Sequence, residues 1–305
     1  MTKILRLVLR LARLHFLFLG FMLYLMGYLL AILGGVGFDL GKFVSGYLIL
    51  GLAQLSVSFS NDYFDRYSDR NSAKTAFSGG SKVLVEHPEL EGLALKTAIF
   101  LLATSMLATA FFTFAYSYSH WFPIFGISGA LAGWFYSAPP LMLAYRGLGE
   151  LTTVLAVGVM MPGIGYFAAS GSIDFSFLVF IFPLSCYGLF FILTVELPDV
   201  ETDRIAHKTN IVVKWGRKAG TYISVIATVL GTVFLAAIHL SGILEGKPDL
   251  EWITLLSVIP IVAAIAAIQE SAERRNVFPP VTISTSAMIL FICLVDTILL
   301  FQSLR

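Results

Sequence analysis

The chain has 305 residues, of which 57% are hydrophobic and only 13% are charged, and its mean hydropathy is +0.85. This composition is typical of polytopic membrane proteins, and a formal net charge of +1 gives no support for a nucleic-acid partner. The two cysteines, Cys186 and Cys293, lie in separate apolar runs, so we predict neither a disulfide framework nor a zinc site.

Nine apolar segments are each long enough to cross a bilayer, which takes about 20 residues of helix. They cover residues 14–36, 43–61, 93–116, 120–138, 149–170, 176–197, 220–240, 252–269 and 281–302. No small-residue cleavage site follows the basic N-terminal residues, so the first segment is predicted to be a retained helix and not a signal peptide. We expect one all-α domain over residues 1–305, a bundle of nine transmembrane helices around a central cavity.

Lysine and arginine residues are distributed unevenly between the two sides of this bundle. With the N-terminus inside, sixteen of them lie on the inner side and three on the outer side. Cytoplasmic loops carry such an excess, so we predict an inside N-terminus and an outside C-terminus, in the cytoplasmic membrane of a prokaryote. The connections near 62–92, 139–148 and 198–219 then form cytoplasmic cap loops over the bundle.

The second apolar segment ends in NDYFDRYSDR, which places several acid or amide side chains together. Asn61, Asp65 and Asp69 follow one another at a spacing of four residues, so they share one face of a helix, and Asp62 can join them. Carboxylates so close together repel unless a cation lies among them. Oxygen ligands of this kind suit Mg²⁺, although the alternative is a solvated helix end with aspartate caps.

A second acidic cluster, ELPDVETDRIAHKT, follows the sixth apolar segment on the same predicted side. Asp199 and Asp203 are again four residues apart, and Glu196 precedes them by one turn. Lys208 follows directly. Two acidic helix ends with a lysine beside them suit a metal-bridged diphosphate, whereas the alternative is two unrelated surface helix ends.

The connection between the fourth and fifth segments reads FYSAPPLMLAYRGLGEL. Tyr136 and Ser137 precede the double proline, and Tyr145 and Arg146 follow it. An aromatic ring at this depth can face a carbocation, and the hydroxyl groups can bind a substrate. We therefore name Tyr136, Ser137 and Tyr145, together with Asn61 of the first acidic cluster, as candidate substrate-binding residues. The alternative for Tyr136 is an interfacial tyrosine of an aromatic belt.

Basic residues near the acidic clusters are candidates for binding the diphosphate oxygens. Arg13 lies nearest the membrane at the start of the first segment, and Lys74 and Lys82 flank the Gly79–Gly80 turn. Together with Arg146 and Lys208 they form the predicted diphosphate-binding set. Anchoring by lipid headgroups is the alternative for most of these cations.

Taken together, these motifs resemble the UbiA superfamily of intramembrane prenyltransferases. The family's first motif, NDxxDxxxD, is matched by Asn61, Asp62, Asp65 and Asp69, and its later DxxxD by Asp199 and Asp203. The resemblance runs from about Arg10 to Gly216 and leaves the last three segments matched by hydrophobicity alone.

The resemblance implies a nine-helix fold open sideways to lipid and the transfer of a prenyl chain from an isoprenyl diphosphate to a small acceptor. It implies Mg²⁺ held by the six residues of the two motifs, and no obligate protein partner. Asp69 and Asp203 are then candidate proton acceptors, and Tyr136 shields the allylic cation. The motifs are most similar to the branch that prenylates naphthoate for menaquinone, while the branches acting on glyceryl phosphate ethers, 4-hydroxybenzoate, haem and chlorophyll stay open.

Two other classes of membrane protein use clustered acids. An ion-coupled transporter is expected to place some acids near the bilayer midplane or in broken helices, whereas here they cluster at one predicted face. The CDP-alcohol phosphotransferases carry an Asp–Gly pair inside their acidic motif, which neither cluster has. Both are therefore less favoured than the prenyltransferase.

Overall fold

A computed structural model describes residues 3–71, 79–244, 248–272 and 278–305 of the protein. Within these ranges every regular element is a helix, which confirms the all-α class. The α-helices are α1 (Lys3–Ala12), α2 (Leu14–Leu33), α3 (Leu40–Phe64), α4 (Val83–Glu86), α5 (Glu91–Ala115), α6 (Trp121–Trp134), α7 (Gly149–Leu155), α8 (Met161–Ser170), α9 (Phe175–Glu196), α10 (Val200–Ile205), α11 (Ile211–Ser241), α12 (Glu251–Leu256), α13 (Val258–Ala272) and α14 (Phe278–Ser303). A π-helical turn, Ala156–Met160, joins α7 to α8.

Eight helical stretches of the described chain are long and apolar enough to cross a membrane. They are Leu14–Leu33, Leu40–Phe64, Pro88–Ala115, Gly149–Ser170, Phe175–Ile205, Ile211–Ser241, Glu251–Ile268 and Pro280–Ser303. The protein is therefore a polytopic membrane bundle, as predicted.

The predicted fourth span is shorter than expected. Helix α6 has 14 residues, which rise about 21 Å, whereas the hydrocarbon core of a bilayer is about 30 Å thick. After Trp134 the chain turns back on itself, because Leu143 N–H donates to the Phe135 carbonyl (3.0 Å) and Ala144 N–H to the Tyr136 carbonyl (2.9 Å). The residues of this turn are mostly apolar, so a hydropathy profile does not distinguish the turn from the helix before it.

Polar caps set the starts of three long helices. The Asp39 carboxylate accepts from Lys42 N–H (3.0 Å) at the start of α3, and Asp174 accepts from Ser176 N–H (2.9 Å) at the start of α9. Asn210 Oδ1 accepts from Val213 N–H (2.8 Å) and starts α11. Each cap satisfies a backbone donor that the first helical turn leaves without a partner.

Helices α2 and α8 are in backbone contact in the middle of the bundle. A Cβ atom on Gly27 would lie 1.8 Å from the Pro162 carbonyl oxygen, and one on Gly165 would lie 2.1 Å from the Tyr24 carbonyl oxygen. Small residues allow transmembrane helices to approach this closely. The interior of the bundle is therefore closed between these two helices.

The two ends of the bundle differ in chemistry. At one end, aromatic rings of Tyr24, Tyr28 and Phe43 pack together around the start of α3. At the other end, the connection after α3 meets the connection before α7 and the one before α11. All the acidic segments identified in the sequence lie at this second end.

Candidate active site

The first acidic segment keeps its side chains on one side although the helix stops within it. Helix α3 ends at Phe64, and Asp69 belongs to a 3-10 turn, Ser68–Asn71. Asp65 N–H donates to the Asn61 carbonyl and Asp69 N–H to the Asp65 carbonyl, each at 2.8 Å, so the four-residue spacing of a helical turn continues. Consequently Asn61, Asp65 and Asp69 all line one cavity, together with Asp62.

The second acidic segment lines the same cavity from the opposite side. Helix α9 ends at Glu196, a 3-10 turn containing Pro198 follows, and α10 carries Asp203. Asp203 accepts a hydrogen bond from Asn210 Nδ2 (2.8 Å) and pairs with Lys208 Nζ (3.2 Å). The two motifs, more than a hundred residues apart in sequence, are thus the two walls of one site.

The cavity between these walls measures about 140 Å³. A single water takes roughly 10–15 Å³ on the same scale, so the space holds a group larger than one water. Apart from the acids, its lining includes cations, hydroxyls and backbone, contributed by Arg13, Ser68, Gly79, Gly80, Tyr136, Thr202, Lys208 and Asn210.

Two hydroxyl groups hold the Asp65 carboxylate. Tyr145 O–H donates to Asp65 Oδ1 (2.6 Å) and Ser137 O–H donates to Asp65 Oδ2 (2.8 Å). Burial, reinforced by the Asp65 charge, raises the pKa of Tyr145, so its hydroxyl remains a donor at neutral pH. Ser137 is fully buried, and its only proton is used by Asp65. Both hydroxyls therefore hold Asp65 in place, and direct contact of these two residues with a substrate stays a prediction.

The Asp62 carboxylate has a different environment from its neighbours. Both of its oxygens accept hydrogen bonds from Ser81, through the backbone N–H (3.2 and 3.3 Å) and the hydroxyl. Arg10 in turn donates to the Ser81 carbonyl (3.1 Å). Asp62 thus fixes the segment after the Gly79–Gly80 turn against the bundle, in addition to lining the cavity.

The structure describes four of the five predicted diphosphate-binding cations, and these four lie at different distances from the cavity. Arg13 and Lys208 line the cavity. Lys82 lies beside it, with Nζ donating to the Asp69 backbone carbonyl. Arg146 lies outside it, because its guanidinium donates to the Pro140 carbonyl (2.9 Å), and Lys74 lies outside the described residues.

Lys208 is the cation at the centre of the site. Burial alone would lower its pKa, but the carboxylates of Asp65 and Asp203 outweigh burial and raise it well above the ordinary value. Its ammonium group also lies 5.2 Å from the centre of the Tyr145 ring. Lys208 therefore stays charged at any pH in the physiological range.

The oxygen atoms that line the cavity suit a metal ion. Within the described residues, no three His, Cys, Asp or Glu side chains are already gathered as a metal would gather them. However, two buried oxygens at the cavity, Asn61 Oδ1 and Glu196 Oε2, find no hydrogen-bond donor among the residues described. Buried polar atoms rarely lack a partner, and an oxygen-rich wall fits a hard divalent cation.

Four polar cavity residues were not among the predicted ligands. They are Ser68, Glu196, Thr202 and Asn210. Glu196 stands one helical turn before Asp199, which was visible in the sequence, but nothing there distinguished it from an ordinary helix-end acid. Thr202 and Asn210 carry no sequence signal, because only the fold brings them to the cavity.

Asp69 gives the site a pH dependence. Burial, together with the charges of Asp65 and Asp62, raises its pKa to about 7. If Asp69 is a metal ligand, as the sequence predicts, the metal must displace this proton, and the Mg²⁺ concentration for half-maximal activity is expected to rise about tenfold between pH 8 and pH 6. In Asp69→Asn the same titration should be flat over this range. If the Mg²⁺ concentration that the wild type requires did not change with pH, the predicted role of Asp69 in metal binding would be contradicted.

Gly80 is packed directly against Asp69. Its φ is +65°, and a Cβ atom there would lie 1.9 Å from Asp69 Oδ2. Gly80→Ala is expected to displace the carboxylate and lower transfer by about a hundredfold, since shifts of about 1 Å in a site have such effects. Gly242 is a matched control, because it has the same φ of +65° and nothing within 4 Å.

Gly242→Ala should cost about 1–2 kcal/mol of stability, as should Gly80→Ala, because both place a side chain in the left-handed region. Activity and thermal unfolding are measured for both variants in detergent. Equal activity loss in the two variants would show that backbone strain, and not the contact with Asp69, is responsible.

With this geometry in place, the chain was compared with known proteins. The model of the UbiA prenyltransferase family matches residues 20–277. The chain is 24% identical over 270 residues to 1,4-dihydroxy-2-naphthoate octaprenyltransferase of Bacillus subtilis, which covers 88% of this chain and 83% of the relative. It is 28% identical over 147 residues to 2-carboxy-1,4-naphthoquinone phytyltransferase of Synechocystis sp., covering 47% of this chain and 45% of the relative.

Solved structures share the fold. A UbiA homologue from Archaeoglobus fulgidus bound to GPP and Mg²⁺ superposes with a TM-score of 0.62 at 17% identity, covering 94% of this chain and 99% of that one. A digeranylgeranylglyceryl phosphate synthase superposes with a TM-score of 0.66 at 16% identity, covering 99% of each chain. Since the family model spans most of the sequence and the bundle matches, the chain belongs to the UbiA prenyltransferase family and is an intramembrane prenyltransferase.

Proposed function

We propose that this prenyltransferase is Mg²⁺-dependent and prenylates an aromatic quinone precursor of the naphthoate class. The observation that carries the reaction is the pair of acidic walls facing each other across one cavity, with Lys208 between them. The naphthoate acceptors named for the Bacillus subtilis and Synechocystis relatives support the acceptor class.

The residues that would hold the metal come from both walls. They are Asn61, Asp65 and Asp69 on one side and Asp199 and Asp203 on the other. When bound, Mg²⁺ would neutralise the diphosphate charge and make it a better leaving group. Asp62 is a further candidate ligand, and it also holds Ser81 through both of its oxygens.

Cations of the chain would bind the remaining diphosphate oxygens. Lys208 and Arg13 reach the cavity directly, and Lys82 lies at its edge. The C–O bond of the prenyl diphosphate breaks, and the electron pair leaves with the diphosphate, where these cations stabilise it. This leaves an allylic cation on the prenyl chain.

The Tyr136 ring lines the cavity and would stabilise this cation through its π face while excluding water. A ring carbon of the acceptor then supplies the electron pair for the new C–C bond. The proton released from that carbon passes to a carboxylate of the cavity, with Asp69 and Asp203 as the candidates. No other reactant is required.

The orientation of the protein follows from its charges. Both acidic segments and most of the lysine and arginine residues lie at the same end of the sequence-derived topology. We therefore place the cavity near the cytoplasmic face, with the N-terminus inside and the C-terminus outside, in the cytoplasmic membrane of a prokaryote.

A panel assay tests the proposal. Purified protein with Mg²⁺ and labelled geranyl diphosphate is incubated separately with 1,4-dihydroxy-2-naphthoate, 4-hydroxybenzoate and a glyceryl phosphate ether, and products are read by mass spectrometry. We expect prenylated naphthoate, and loss of product when EDTA removes the metal. Transfer to the ether alone would overturn the acceptor class, and transfer to none of the three would overturn the function.

A further inference from the structure

A second cavity of about 290 Å³ lies beside the acidic one. Its wall is mainly aromatic and aliphatic, with Phe64, Tyr67 and Ile205 among its residues. Ligand pockets commonly start at about 300 Å³ and combine apolar walls with a few polar groups. This cavity therefore has the size and surface of a small-molecule site, which the charged cavity next to it lacks.

The two cavities share a wall. Ser68 and Thr202 line both of them. Tyr145 lines the second cavity, and its hydroxyl bonds Asp65, which lines the first. A molecule in the second cavity is thus one side chain away from the acidic cavity.

The hydroxyl groups on this wall already donate hydrogen bonds within the protein. Ser68 O–H donates to the Asp65 carbonyl (2.8 Å), Thr202 O–H to the Asp199 carbonyl (2.9 Å), and Tyr145 O–H to the Asp65 carboxylate (2.6 Å). Each oxygen keeps lone pairs that accept hydrogen bonds. The wall therefore offers acceptor oxygens, which suit a ligand that carries a hydroxyl donor.

Two cations lie close to the ring of Tyr67, which lines the second cavity. The guanidinium groups of Arg66 and Arg70 lie 4.4 and 5.3 Å from the centre of the exposed Tyr67 ring. Arg66 is also paired with Glu91 (3.1 Å), whereas Arg70 is exposed to solvent. Positive charge over an aromatic wall suits an aromatic ligand with a carboxylate.

From these features we infer that the second cavity binds the acceptor, as a hydroxylated aromatic acid whose ring stacks on Tyr67 or Tyr145. The inference rests on the proposed prenyl transfer. It adds the place where the acceptor binds and gives a role to its hydroxyl group and to its carboxylate. A phenol that donates to the wall hydroxyls keeps its ring next to the cavity in which the prenyl cation forms. An apolar prenyl tail would use neither the hydroxyls nor the arginines.

Variants that fill or recharge this cavity test the inference. Ala206 lines the second cavity, so Ala206→Leu and Ala206→Trp reduce the volume of this cavity stepwise. Arg70→Gln removes a positive charge beside the Tyr67 ring. Leu141→Trp is the control, because Leu141 is 44% exposed at the same end and lines neither cavity. KM is measured separately for the acceptor that the panel identifies and for geranyl diphosphate.

We expect Ala206→Trp to raise KM for the acceptor about tenfold or more, Ala206→Leu less, and KM for geranyl diphosphate to stay within about twofold. Arg70→Gln should raise KM for acceptors that carry a carboxylate and leave KM unchanged for acceptors that lack one. Leu141→Trp should resemble the wild type.

A rise in KM for the prenyl diphosphate instead would show that the tail occupies this cavity. Unchanged constants in folded Ala206→Leu and Arg70→Gln would overturn the inference while leaving prenyl transfer intact. If the wild type transfers to no acceptor, the proposed function fails first, so the two failures are distinguishable.

Discussion

Replacing Asp65 with asparagine is expected to lower prenyl transfer by more than about a hundredfold. Mutation of the residues that support metal ligands already lowers metal affinity or activity by about 10–100-fold, and Asp65 is proposed as a ligand itself. The amide keeps the size of the side chain and can still accept one of the bonds from Ser137 and Tyr145. It removes the negative charge that faces Lys208 and the metal. Asp199→Asn on the opposite wall should have a similar effect.

The control for this substitution is Asp174→Asn at the far end of the bundle. Asp174 also accepts from a tyrosine hydroxyl, that of Tyr166 (2.7 Å), and it caps α9. Both variants therefore change a carboxylate that accepts from a tyrosine hydroxyl, at opposite ends of the bundle. Transfer is measured with saturating substrates and Mg²⁺ titrated to high concentration. Near-wild-type activity in Asp65→Asn would refute the two-walled metal site.

Lys208→Met is the second substitution with a large expected effect. The ammonium group is mostly buried beside the carboxylates of Asp65 and Asp203, and methionine fills similar volume without the charge. Removing one partner of a buried ion pair costs about 3–5 kcal/mol, because the other charge stays buried without compensation. We expect lower stability without metal at pH 7, and a KM for the prenyl diphosphate raised about tenfold or more.

This stability loss should shrink at low pH and in the presence of Mg²⁺. Acid protonates Asp69, whose pKa burial and the neighbouring carboxylates raise to about 7, and so reduces the negative charge that Lys208 balances. A bound metal would replace the charge of Lys208. Unfolding is followed in detergent at about pH 5 and pH 7, with EDTA or Mg²⁺. Lys218→Met is the control, since Lys218 is exposed and its ammonium also lies near a tyrosine ring, 6.0 Å from that of Tyr222. An equal loss in both variants would contradict the buried role of Lys208.

The sequence identified the two acidic segments because their four-residue spacing survives whether or not the helix continues. Asp69 shows this, since it lies beyond the end of α3 but keeps the i to i+4 hydrogen bond. Hydropathy likewise located the long helices. It extended the fourth segment past the end of α6 into an apolar turn. It missed the first turn of α11, residues 211–215, which the non-helical Gly216 (φ 85°, ψ 163°) separates from the long membrane helix that begins near the predicted residue 220.

What the sequence could not provide was the set of contacts made across the fold. The hydroxyls of Ser137 and Tyr145 reach Asp65 from 72 and 80 residues away. Arg146 looked equivalent to the other cations, but the direction of its side chain follows from the local turn to Pro140. Side-chain direction in irregular connections depends on neighbours that a linear pattern does not contain.

The backbone contact between α2 and α8 has a consequence for the membrane in which the enzyme works. An acidic, water-accessible cavity would conduct protons if it continued to the opposite face of the bilayer. At Gly27 and Gly165 the two helices touch without room for even a methyl group, and the aromatic rings around Tyr24 lie beyond them. Neither water nor a chain of proton carriers fits between α2 and α8 at this level, so the acidic cavity has no route to the far end of the bundle between these two helices.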